Sequence, residues 1–342
     1  MKSIAAVMEA AATAGLIKKS FFDKNFQNKC GRWVTPGRCS NGHYYAKGIY
    51  CGREWCLVCG AKGSPVHKRR IARITPKCLQ IKEMGYFVIE FPLIYRELKA
   101  RYPADGEYWC YTKKDLNSTT KIIIDVLAGE MQGSKHKRQG GYFDRGLLRW
   151  HWFGDRKQGR YNPHVNVLVD SSFIPADKLS IIKAGLREKL NCPDLIVNYE
   201  YAKLPGEKYH LMEYITRSTF LRYEWSPWMA GQIYNFRNQR WWGKWNKPAS
   251  WSFDDITGKK VNKGEQLEKL EKKICPKCGE KIEYVKPVDS TWLKIWDGKE
   301  IDGSGYYEIP LISVIEWDIY GDKKPPWWNI PGRQNGRAGL KD

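Results

Sequence analysis

Cysteine spacing is the first chemical signal in this chain. Cys56 and Cys59 form a C-x-x-C, Cys51 lies five residues before Cys56, and Cys39 lies twelve before Cys51. A zinc ion takes four sulfur or nitrogen ligands in a tetrahedron, and a C-x-x-C on a tight turn supplies two of them. The spacing predicts a structural zinc held by Cys39, Cys51, Cys56 and Cys59. Cys30, His43 and His67 are alternative ligands for the same ion. A second C-x-x-C, Cys275 and Cys278 in ICPKCGEKIEY, has the form of a zinc-ribbon knuckle. No Cys or His follows it, so any further ligands must come from elsewhere. Cys78, Cys110 and Cys192 stand apart and read as small buried hydrophobes.

A second set of residues suits phosphate chemistry. In HVNVLV, His164 and Asn166 alternate along a strand, so both point to one face, while Val165, Val167 and Val169 point to the other. His151 on a neighbouring strand and Glu90 on an earlier one can aim at the same place. A His, an amide oxygen and a further His or carboxylate make a site for a divalent cation with open positions. In PGEKYHLMEYITRSTFL, His210, Tyr214 and Arg217 fall at i, i+4 and i+7 of a helix. A phenol, a proton acceptor and a phosphate-binding cation then share one face. Tyr209, five residues from Tyr214, is out of phase with it.

The elements that must position these groups follow from periodicity. Tyr86–Phe91 reads as a strand, and Asp115–Met131 as a helix with Asp115 as N-cap and Leu116, Ile123, Leu127 and Met131 on one face. Arg145–Phe153 and His164–Val169 read as strands joined by the polar turn GDRKQGRYN. Pro175–Leu190 is a helix, Leu195–Tyr201 a strand, and Pro205–Leu221 a helix, the helices opened by Pro. The order β-α-β-β-α-β-α predicts an α+β fold with a central antiparallel sheet, of the ferredoxin-like kind. Residues 1–78 are expected to form an N-terminal amphipathic helix and zinc module, 79–225 the core, and 226–342 a Trp-rich basic region. That last region holds a charged helix at Glu265–Lys273 and a loosely ordered end from Asp322.

Composition names the class of partner. Lys and Arg number 58 against 37 Asp and Glu, a net charge of +21, and aromatics reach 14%. Such an excess points away from small neutral metabolites and toward nucleic acid. Rings that stack on bases, beside cations that track phosphates, suit single strands. The candidate contacts are Lys68, Arg69 and Arg70 after the zinc module, Arg156, Lys157 and Arg160 in the polar turn, and Trp241 and Trp242. No apolar run approaches the length of a membrane span. Glu9 and Lys18-Lys19 break up the only signal-like stretch, so the expected location is cytoplasmic, with reduced thiols.

The order of these parts resembles the HUH endonucleases, the rolling-circle replication initiators of plasmids and viruses, with their transposase and relaxase relatives. YFVIEF resembles their first motif strand. Asn162-Pro163-His164-Val165-Asn166-Val167-Leu168-Val169 resembles the His-hydrophobic-His strand, and Glu213-Tyr214-Ile215-Thr216-Arg217 the helix that carries the nucleophile. The upstream C-x4-C-x-x-C is similar to a cysteine cluster of one large plasmid group. The resemblance spans about residues 39–225 and departs from the pattern at Asn166, which stands where the second His is expected. An amide oxygen can still bind Mg²⁺ or Mn²⁺. The resemblance implies that this ion polarises the scissile phosphate of single-stranded origin DNA and that Tyr214 attacks the phosphorus. A 5′-phosphotyrosine and a free 3′-OH result, the latter extended by a host polymerase, with a host helicase as a further partner. A transposase of the same chemistry, and a zinc-containing DNA-binding regulator without catalysis, are the alternatives.

Overall fold

The computed structural model describes residues 30–52, 58–92, 112–132, 137–152, 162–219, 236–245 and 264–310, with a few single positions between them. In chain order the elements begin with β1 (Trp33–Arg38), β2 (Tyr44–Ile49), α1 (Pro65–Cys78) and β3 (Met84–Glu90). α2 (Lys113–Ala128), β4 (Gly129–Gln132), β5 (Lys137–Gly140), β6 (Gly146–His151) and β7 (His164–Asp170) follow. Then come α3 (Ala176–Lys189), β8 (Ile196–Ala202), α4 (Pro205–Thr216) and β9 (Gln239–Trp242). The last are α5 (Gly264–Glu271), β10 (Glu283–Tyr284), β11 (Val288–Asp289), α6 (Trp292–Ile295), β12 (Lys299–Glu300) and β13 (Tyr306–Ile309). The protein is α+β. Among the described residues no helix is long and apolar enough to cross a membrane.

The central sheet has the order β8-β3-β7-β6-β9, antiparallel throughout. Both of its faces are covered. Val165, Val167 and Val169 of β7 and Leu148 and Trp150 of β6 pack with Leu116, Ile123 and Leu127 of α2 and Ile182 and Leu186 of α3. Tyr86, Leu147 and Leu168 on the opposite face pack with Ile71 and Ile74 of α1 and Leu211 and Ile215 of α4. Burial on both sides explains why nearly every residue of β6 and β7 is inaccessible. Trp150 stays paired in this core, its Nε1 donating to Thr120 Oγ1 at 2.9 Å.

A second sheet, β10-β1-β2-β13-β12 with β11 on the flank of β1, joins strands from the two ends of the described chain. β1 and β2 form a hairpin, and β13 adds to β2 in antiparallel register. The boundaries expected at residues 78 and 225 therefore do not separate the two sheets. β9, from the Trp-rich region, completes the edge of the central sheet, and β10–β13 complete the sheet begun by β1 and β2.

Several local expectations shift. α2 starts earlier, capped by Thr112, and Asp115 is the reciprocal partner three residues on: its amide donates to Thr112 Oγ1 at 3.1 Å and its carboxylate accepts from Thr112 N at 3.1 Å. The helix ends at Ala128, so Met131 leaves its apolar face and is exposed on β4. α4 opens at Pro205, where Glu207 accepts from the Leu204 amide at 3.1 Å, and closes at Thr216, five residues short of Leu221. The amphipathic segment 1–20, Cys110, most of the polar turn 154–162 and the end from Asp322 lie outside the described residues.

Candidate active site and metal centres

The described cysteines do not group as their spacing suggests. Cys30, Cys51, Cys56 and Cys59 bring their sulfurs together, and Cys39, His43, Cys275 and Cys278 form a second group, each with all ligand atoms within 4.8 Å of one another. Cys39 is therefore not the partner of Cys51, Cys56 and Cys59; Cys30 takes that place. Cys30 and Cys59 sulfurs lie 3.3 Å apart and those of Cys51 and Cys59 3.6 Å. In the second group Cys39 Sγ is 3.5 Å from His43 Nδ1 and 3.6 Å from Cys278 Sγ, and Cys275 Sγ is 3.5 Å from His43 Nδ1. Ligands about 2.3 Å from a tetrahedral zinc stand roughly 3.8 Å from each other. Both groups fit a metal ion such as zinc.

Local structure shapes both groups. Each C-x-x-C is followed by Gly, and the Gly amide donates back to the first Cys carbonyl: Gly60 to Cys56 at 2.7 Å, Gly279 to Cys275 at 2.9 Å. At Gly60 a Cβ would sit 2.0 Å from the Glu54 carbonyl oxygen, and Gly279 has φ +80°. Cys39 and His43 bracket the turn of the β1–β2 hairpin, where Gly42 donates to Cys39 O at 3.0 Å. The motif C-S-N-G-H carried that signal in the sequence. Mutual hydrogen bonding among the four thiols pulls Cys30 and Cys56 below the usual thiol range and pushes Cys51 and Cys59 above it. His67 ligates nothing. Its Nδ1 accepts from Gly63 N at 3.1 Å and its Nε2 lies 3.3 Å from Glu213 O, tying α1 to α4. Cys78 and Cys192 are buried apolar residues, as their isolation predicts.

The phosphate-chemistry residues converge on the face of the central sheet that meets α1 and α4. Strand register sets Glu90, His164 and His151 side by side across β3, β7 and β6, with Val88, Asn166 and Arg149 in the next row. His151 and His164 rings meet at 5.4 Å between centroids, and Tyr214 of α4 lies 5.4 Å from His151. Arg217 is not on the helix. It is the extended cap after Thr216, yet its guanidinium folds back to 3.9 Å over the Tyr214 ring. His210 is exposed one turn upstream, and Tyr209 packs in the core with a phenol pushed up by burial.

Polar partners fix the tautomers. His151 Nε2 faces the Ile215 carbonyl at 3.2 Å and so donates, leaving Nδ1 as a buried lone pair with no hydrogen-bond partner among the described residues. His164 Nδ1 donates to Asn162 O at 2.9 Å. Burial, with His164, Arg149 and Arg217 nearby, holds His151 neutral well below the ordinary imidazole range. Arg149 Nε, Asn162 Oδ1 and Asn166 Nδ2 are likewise buried with no hydrogen-bond partner among the described residues, so several unsatisfied polar atoms lie close together here.

The expected Mg²⁺ or Mn²⁺ site does not fit these residues. Asn166 is buried and its Oδ1 accepts the Tyr86 hydroxyl. Among the described residues, Glu90, His151 and His164 do not gather their ligand atoms as the two cysteine groups do. A hard divalent ion wants several oxygen ligands, whereas this row offers two imidazoles and one carboxylate, the Asn166 oxygen being taken by Tyr86.

The candidate DNA contacts divide. Arg69 is buried and donates to Ser304 O at 2.9 Å, Gly48 O at 3.0 Å and Gly305 O at 2.7 Å, so it locks the second sheet to α1 instead of facing solvent. Lys68 bonds the Asp302 carbonyl, and Arg70 donates to Thr216 O at 2.5 Å. Successive helix residues turn by about 100°, so a run of basic residues cannot present one face. Trp242 is buried among the α2 and α3 residues with Nε1 donating to Phe143 O at 3.1 Å, whereas Trp241 points to the other face and is half-buried. Arg156, Lys157 and Arg160 lie outside the described residues.

Glu54 carries a role that spacing did not reveal. It sits in the cysteine loop, yet its carboxylate bonds Arg149 of β6, accepts from Asn238 Nδ2 at 3.0 Å and lies 4.0 Å from Arg70. Burial opposes its charge, but Arg149 and Arg70 prevail and hold the carboxyl below its usual range. The first cysteine group is thereby anchored beside the His–Tyr row. Comparison with protein-family models, with curated proteins and with solved structures finds no match.

Proposed function

We propose that this chain nicks and rejoins single-stranded DNA as a rolling-circle replication initiator of the HUH type, with Tyr214 as nucleophile. The observation that supports the reading is the meeting of Tyr214 and Arg217 with the His151–His164 pair, which lie 50 or more residues away along the chain. Four central strands run β8-β3-β7-β6, the neighbour order of a β-α-β-β-α-β ferredoxin-like unit, which agrees with that reading.

The chemistry follows from the side chains present. Tyr214 Oη attacks a backbone phosphorus, a new O–P bond forms, and the bond to the 3′ oxygen breaks. His151, neutral with an open Nδ1, takes the phenol proton, and the departing 3′ oxygen takes a proton from water to become the 3′-OH. Arg217 over the Tyr214 ring supplies positive charge to the phosphoryl group. Reversal by the new strand's 3′-OH rejoins DNA. No step is routed through Mg²⁺ or Mn²⁺. The buried Asn166–Tyr86 pair favours the second reading, a DNA-binding regulator that holds zinc and does not cut. One experiment separates the two. Tyr214→Phe removes the attacking oxygen and little else, so a covalent protein–DNA adduct seen with the parent chain should vanish while single-strand binding persists. Absence of any adduct from the parent chain leaves the regulator.

A further inference from the structure

A cavity of about 620 Å³ opens between α1 and β9 at the edge of the central sheet. Its walls are cationic and aromatic. Arg70, Arg73 and Lys77 stand at i, i+3 and i+7 of α1 and present one helical stripe to it. Arg149 of β6 and Arg237, just before β9, complete five cations. The lining holds one carboxylate, Glu54, which is already bound by Arg149 and flanked by Arg70. Five cations against one carboxylate leave the lining with a net charge of +4. Charge of one sign in a concave cleft focuses the field on what enters it.

The rings make the ligand more specific than an anion. Phe236 and Trp241 are half-buried in the wall, and Lys77 Nζ stands 4.4 Å from the Trp241 ring centre. Arg237 is exposed, and among the described residues its guanidinium has no hydrogen-bond or ion-pair partner. The Arg73 side chain is 61% exposed, with Glu271 at 3.2 Å from its Nε. A ligand that satisfies such a wall alternates phosphates with flat apolar faces. Single-stranded DNA does so, whereas duplex DNA keeps its bases stacked inside. The cleft also adjoins the Tyr214 site, since Arg149 lines it and lies 3.5 Å from the Arg217 carbonyl.

We propose that this cleft, built jointly by the helix after the cysteine loop and by the Trp-rich strand, seats single-stranded DNA beside Tyr214. Arg73 and Arg237 contact phosphates, and Phe236 and Trp241 stack on bases. The proposal rests on the single-strand-nicking reading for its ligand, but its test does not depend on cleavage. Binding of a labelled oligothymidylate is followed by anisotropy across a salt series in the Tyr214→Phe chain. Each lost phosphate contact to a single strand removes about 0.7 from the slope of log K against log salt, so Arg73→Gln with Arg237→Gln should flatten it by about 1.4. Both side chains are exposed, which spares the fold. Trp241→Leu or Phe236→Leu should weaken binding by about 5- to 150-fold at every salt concentration. A duplex of equal length should compete poorly. Unchanged slope and affinity would overturn the proposal. So would a slope change with no effect of the ring variants, which is the behaviour of a cleft that merely attracts anions. A parent chain that binds through this cleft but forms no adduct would end the nicking reading and leave the cleft assigned.

Discussion

Cysteine pairing makes the sharpest test, because two groupings of the same residues predict different zinc counts. The structure assigns Cys30 to Cys51, Cys56 and Cys59, and Cys39 to His43, Cys275 and Cys278. The chain should then bind two zinc ions, one per group. Cys30→Ser with Cys51→Ser disables one site and should leave one ion. Cys39→Ser with Cys275→Ser should also leave one. Cys39→Ser with Cys51→Ser strikes both sites and should leave none, although grouping by spacing would lose only one there. The stability cost should differ as well. Cys30 and Cys59 are 29 residues apart, and Cys39 and Cys278 are 239 apart. Loop-closure entropy grows as three halves of RT times the logarithm of length, so the second metal constrains the unfolded chain by about 2 kcal/mol more than the first. Elemental analysis of protein purified without added metal gives the counts, and urea unfolding of the single-site variants gives the difference. One zinc retained by the Cys39→Ser, Cys51→Ser chain would refute the assignment.

Two further outcomes follow from burial. Burial first, and then Arg70, lowers the His67 pKa to about 4 from the free value of 6.5, so on acidification the unfolded chain takes up a proton that the folded chain refuses. The His67 contribution should be complete above pH 6.5 and be lost between 6.5 and 4, by about 3 kcal/mol, and His67→Gln should reduce the slope of stability against pH in urea titrations; an identical pH profile would remove His67 from the account. Trp242→Ala should cost about 3–5 kcal/mol in unfolding free energy through lost burial and a residual cavity. Trp241→Ala should cost clearly less, and equal losses would mean that the strand faces are assigned the wrong way round.

The parts of this protein that are legible in its sequence are those with a local cause. Alternation in HVNVLV puts three valines on the helix-covered face and His164 and Asn166 on the other, because successive strand residues point oppositely whatever the partner. The helices that begin at or beside Pro175 and Pro205 were equally readable, since a fixed φ and a missing donor suit a first turn. The C-x-x-C-G turns announce metal knuckles through five residues each. What fills the remaining positions of each knuckle has no local cause. Cys39 is close to Cys51 in sequence, but the β1–β2 hairpin carries it away to face Cys275 and Cys278 across the second sheet. The basic run after the cysteine loop looked like one surface, yet helical phase sends Arg69 inward and Arg70 to the cleft. Asn166 looked like a ligand until Tyr86, on the adjacent strand, took its oxygen. Side-chain type and period thus settled which faces exist. Strand order and register, which depend on chain segments up to 265 residues apart, decided what each face meets.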